Sequence, residues 1–166
     1  MDFLTDLESC IPSLRRYARA LLRDGERADD LVQDCLERAL SRRHLWRGGA
    51  TLRPWLFRIM HNLHANQARA WSTRPRHDPI DEAALPPIAE SQTAHLALGE
   101  MAKALGSLPP EQARVVLLVA LEGLTYQEVA EILDVPVGTV MSRLSRARER
   151  LRALLSVEGT VLRRVK

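Results

Sequence analysis

Cysteine is scarce in this chain, aromatic residues are few, and the alternation that marks β-strands is hard to find. The two cysteines, Cys10 and Cys35, are too few and too far apart for a metal knuckle or a disulfide framework. Both are expected as buried or partly buried thiols in a reducing compartment. Aromatics make up 4% of 166 residues. No apolar run reaches membrane-spanning length. No signal peptide is expected either, because acids fall within the first eight residues and no apolar h-region follows. Catalytic signatures are missing too: no Gly-rich phosphate loop, nucleophile elbow or paired His/carboxylate metal spacing. His61 and His64 stand three apart, but nothing nearby completes a metal site. These absences predict a soluble, cytoplasmic protein that is not an enzyme and uses no metal or cofactor.

What is abundant is helix-forming residues and arginine. Ala, Leu, Arg and Glu dominate, and hydrophobic residues reach 46%, enough to bury a core. The formal net charge is only +3, but its distribution is uneven. Residues 1–76 hold 14 Arg and 9 acids, residues 77–100 hold 5 acids and no Lys or Arg, and residues 101–166 hold 10 basic and 7 acidic residues. Two basic lobes separated by an acidic strip suggest two contacts with a polyanion. The expected fold is all-α: a helical domain over 1–73, a Pro-rich acidic linker over 74–94, and a second helical domain over 95–166.

Residues 2–22 read as helical, with Pro12 breaking or restarting the pattern and Asp24-Gly25 as a turn. A second helix covers about 26–42, with Ala28, Leu31, Cys35, Leu36 and Ala39 apolar, an acidic first turn and a basic last turn. Residues 43–53 form a loop with Gly48-Gly49 at its tip and Trp46 beside several basic residues. A third helix starts near Pro54 and runs to about Trp71. Leu56, Ile59, Met60, Leu63 and Ala70 are its expected buried stripe. Trp55, Arg58, Asn62, Asn66 and Arg69 line the other side. That stripe suits stacking on unpaired bases and bonding to their edges, though a merely wet polar face fits the composition as well. A helix over 95–107 follows, with Leu96, Leu98, Met101 and Leu105. Pro109-Pro110 opens another, whose run Val115–Leu121 is expected in the core and which Gly123 ends.

The stretch 124–155 carries the sharpest signal. Thr125 can cap the N–H of Glu128 while Glu128 reaches back to Thr125, and Leu124 and Val129 take the staple positions. Asp134-Val135-Pro136 then breaks the helix. In the next helix, at about 100° per residue, Val140, Leu144, Ala147 and Leu151 share one stripe. Opposite lie Thr139, Ser142, Arg146 and Glu149, flanked by Arg143 and Arg150. Five arginines and one acid fall between Arg143 and Arg152. Small hydroxyls among arginines, on the second helix of a helix-turn-helix, suit the major groove of DNA.

Three stretches, in this order, resemble the extracytoplasmic-function sigma factors, the small two-domain class of bacterial transcription initiation factors. Asp30-Leu31-Val32-Gln33-Asp34-Cys35-Leu36-Glu37-Arg38-Ala39 is similar to the family helix that binds the clamp coiled coil of the polymerase β′ subunit. Pro54-Trp55-Leu56-Phe57-Arg58-Ile59-Met60-His61-Asn62-Leu63 resembles the helix that melts and reads the promoter −10 element. Leu108-Pro109, then Leu124-Thr125-Tyr126-Gln127-Glu128-Val129-Ala130 and Val135 to Arg148, resemble the helix-turn-helix that reads the −35 element. The resemblance implies that Asp30, Leu31, Gln33, Asp34 and Leu36 face polymerase. It implies that Trp46, Trp55, Arg58, Asn62, Asn66 and Arg69 capture −10 bases. Thr125, Tyr126, Thr139, Met141, Ser142, Arg143, Ser145, Arg146 and Arg148 would face the −35 element, with Met141 where many members carry arginine. The implied partners are core RNA polymerase (β′ and β subunits), promoter DNA and an anti-sigma protein, in a stress response. Two other readings stay open: a sigma-like decoy that binds an anti-sigma protein, and a helix-turn-helix repressor or activator.

Overall fold

The computed structural model describes residues 2–46, 48, 51–72 and 92–163, and for 71–72, 92–98 and 157–163 the backbone alone. Helices follow in the order α1 (Phe3–Leu22), α2 (Gly25–Ser41), a 3-10 turn (Arg43–Leu45), α3 (Leu52–Ser72), α4 (Gln92–Gly106), α5 (Pro110–Val116), a π-helical stretch (Leu117–Leu121), α6 (Tyr126–Leu133) and α7 (Val137–Arg163). No strand occurs among the described residues. Most of the predicted linker lies outside them, and its last residues instead open α4 at Gln92.

The first three helices pack as a trio. α1 lies on α2, α2 on α3, and α3 returns to α1. Tyr17 and Phe57 meet edge to face at 5.2 Å in its centre, both essentially without exposure. Asp24 starts α2 by accepting a hydrogen bond from the Arg27 N–H at 3.1 Å, so the expected turn residue is also a helix cap. Pro12 does not break α1, which is continuous through it. Pro12 and Glu8, the residue four back whose carbonyl loses its usual donor, are both exposed, so water can serve that carbonyl.

In the second half, α7 packs against α4, α5 and α6. The capping box at Thr125 is present: the Glu128 N–H donates to Thr125 Oγ1 at 3.2 Å, and the Thr125 N–H donates to Glu128 Oε2 at 2.8 Å. Leu124 and Val129 are buried beside it. Asp134 closes α6 in the left-handed region at φ 53°.

The apolar run departs from expectation. Val115 to Leu118 are buried, but Ala120 and Leu121 are exposed. The π-helical stretch explains this. Its wider turn, in which the Glu122 N–H donates to the Leu117 carbonyl at 3.1 Å, turns Leu121 outward and Glu122 inward. Ala70, on the expected buried stripe of α3, is likewise exposed. Among the described side chains of α4, residues 99–106, Ala104 is the buried one.

The two halves are not separate bodies here. α3 packs against α6, and α1 against the π-helical stretch. Their buried residues form one continuous apolar cluster.

Candidate nucleic-acid interface

α7 presents a polar face because its buried stripe is narrow. Val140, Leu144 and Ala147 are buried and Leu151 half-buried, which turns Met141, Ser142, Ser145, Arg146 and Arg148 to solvent. Thr139 and Arg143 are half-buried at its margin. No ion pair among the described residues engages the arginines between 143 and 152. The Ser142 hydroxyl donates to the Thr139 carbonyl at 3.1 Å, leaving its lone pairs outward. Thr125 and Tyr126 sit at the start of α6, but the Thr125 hydroxyl is already engaged in the capping box.

α3 presents a second polar face. Arg58, Asn62, Asn66 and Arg69 are exposed along it. The tryptophans are different. Trp46 and Trp55 are half-buried and pack around Phe3, with ring centroids at 5.6 Å and 6.4 Å. As placed, they are packing groups at the edge of the core.

On α2, Asp30, Gln33 and Asp34 are exposed, and Gln67 of α3 donates to Asp34 Oδ2 at 3.3 Å. Leu36 is half-buried. Leu31 has no exposure at all, so it is a core residue and offers no surface to a partner. Its apolar periodicity with Ala28 and Cys35 already pointed inward.

Two features at the junction of the halves were not anticipated. The first is Glu122, whose side chain is completely buried. Arg16 reaches it with two parallel hydrogen bonds, Nε to Oε1 at 3.0 Å and Nη2 to Oε2 at 2.8 Å. Arg53 Nη2 donates to Oε2 at 2.5 Å and also holds Ser13 Oγ at 2.9 Å. The Ser13 hydroxyl in turn donates to Glu122 Oε2. An acid in the otherwise apolar stretch Val115–Glu122 was the one available hint, and nothing local named its partners.

The second is His61 and His64, half-buried on α3, whose Nδ1 atoms are buried and have no hydrogen-bond partner. Burial, then the charge of Arg114, hold the His61 pKa below the usual histidine value. Burial, then Arg114, His61 and Arg27, push His64 down to about 4. Both rings are therefore neutral at pH 7. No cluster of metal-ligating side chains occurs among the described residues. The thiols are buried as expected. Burial, aided by Asp34, pushes Cys35 up to about 12, and its Sγ donates to the Leu56 carbonyl at 3.4 Å.

Two family models match the chain: the Sigma2 domain of PhyR over residues 7–61, and Sigma-70 region 4 over residues 98–151. The ECF RNA polymerase sigma factor EcfG of Rhodopseudomonas palustris is 38% identical over 93% of this chain and 85% of its own length. Among solved structures, the sigma factor RpoE from Bartonella quintana, in complex with the anti-sigma factor NepR, is similar with a TM-score of 0.82 and 33% identity, covering 94% of this chain and 98% of that one. CnrH, in complex with the cytosolic domain of CnrY, is similar with a TM-score of 0.66 and 28% identity, covering 91% and 85%.

Proposed function

The chain belongs to the ECF RNA polymerase sigma factors, and from that membership we propose how its surfaces divide the work. The α7 face, with Ser142, Ser145 and Arg146 at its centre, reads the −35 element in the major groove. The α3 face, with Arg58, Asn62, Asn66 and Arg69, takes bases of the −10 element after melting. Asp30, Gln33 and Asp34 dock on the β′ clamp, and residues 74–94 link a domain over 1–73 to one over 95–166. The protein does no chemistry itself and works in the cytoplasm with core polymerase. An anti-sigma protein holds it in check, as the RpoE–NepR pair suggests.

The observation that carries this reading is the pairing of two outward polar faces, on α3 and α7, within one chain. A repressor needs only the second. One finding favours another reading: residues 7–61 match the Sigma2 domain of PhyR, so a decoy that binds an anti-sigma protein would share that half. The arginine-rich α7 is surplus to a decoy. Run-off transcription from genomic fragments, with core polymerase and with or without the chain, tests the proposal. Defined start sites that depend on the chain support it. No transcripts and no core binding, beside tight anti-sigma binding, would leave the decoy.

A further inference from the structure

Met141 is a large apolar side chain, 52% exposed, on a surface otherwise made of serine, threonine and arginine. It lies in the first turns of α7, where a recognition helix meets base edges. On the helical wheel it shares a flank with Ser145 and Arg148, next to the outermost Ser142. No neighbouring helix covers that flank. Methionine offers no hydrogen-bond donor, so it cannot hold a phosphate or a guanine edge. The apolar group in the major groove is the thymine C5-methyl, and apolar side chains contact it there.

We propose that Met141 is a specificity-determining residue that packs on a thymine methyl of the −35 element. The proposal rests on the sigma-factor reading of α7. The test uses holoenzyme formed with the full chain and a promoter found by run-off transcription. Each thymine of its −35 element is replaced in turn by uracil, which removes only the methyl. One replacement should weaken promoter binding about fourfold, the worth of one buried methyl. The Met141→Ala holoenzyme should be indifferent to that same replacement. An element without thymine, or uracil neutral at every position, or a Met141→Ala variant that keeps the sensitivity, overturns the proposal. Failure of the wild-type holoenzyme to bind any promoter sinks the sigma-factor reading instead.

Discussion

Arginine is used in two opposite ways in this molecule. At the junction, Arg16 and Arg53 converge on one buried acid and complete its hydrogen bonds. Along α7, five arginines between 143 and 152 meet no acid among the described residues. The first set is spent inside the fold. The second keeps its charge for an anion outside it. Number of arginines is thus a poor guide to polyanion binding, and the position of the nearest carboxylate is a better one.

The comparison can be strained most at the junction. Arg16→Gln combined with Arg53→Gln leaves Glu122 buried without a counter-charge. The packing of the two halves should lose about 3–5 kcal/mol. A single cooperative urea transition should split into two, and an unchanged transition would mean that the acid was never dependent on them. Next in size is Arg146→Ala. It should cost about 1–3 kcal/mol at the −35 element if it reads a base. Its unfolding free energy should stay within about 0.5 kcal/mol of wild type, as for an exposed group with no internal partner. Equal loss on every DNA sequence would make it a phosphate contact.

Removing the acid should be milder than removing both bases. After Glu122→Gln the arginines, half and one-third exposed, can hydrate. A loss of about 1–2 kcal/mol is expected from urea titration, smaller than for the double variant. A larger loss would show that the arginines, and not the acid, are the groups that cannot be left alone.

The smallest effect is on pH. Burial, then the charge of Arg114, disfavours protonation of both His61 and His64 in the folded protein, and His61 and Arg27 add to the effect on His64. Their folded pKa values lie below the unfolded value near 6.5, and the unfolded state binds more protons. Their contribution is therefore fully present above about pH 6.5 and is lost as pH falls towards 4. Between pH 7.5 and 5.5 stability should drop by about 1 kcal/mol after allowing for solvent screening. His64→Asn should flatten that slope, and an unchanged slope would place its origin elsewhere.

The parts legible in the sequence are those built from near neighbours. Thr125 and Glu128 stand three apart, so their reciprocal capping could be read directly. The polar stripe of α3 and the buried stripe of α7 follow from helical spacing. Glu122 and its donors were not legible, because Ser13 and Arg16 lie 109 and 106 residues away. Family likeness alone implies Leu31 as a polymerase contact, whereas its own helical period places it in the core, where it has no exposure. Pro12 and the π-helical stretch were missed for a common reason. Propensity describes a regular helix and does not foresee where packing will tolerate an irregular one.

Both cysteines lie in the first half of the molecule, Cys10 on α1 and Cys35 on α2, and the second half has none. Burial shields each sulfur and raises its pKa, so neither is a ready nucleophile while its helices stay packed. A thiol-modifying reagent would then act as a clock. Its rate counts how often α1 and α2 come apart, without added labels and without signal from the DNA-reading half. One natural pair of side chains thus gives the first half of the protein its own measurable time scale.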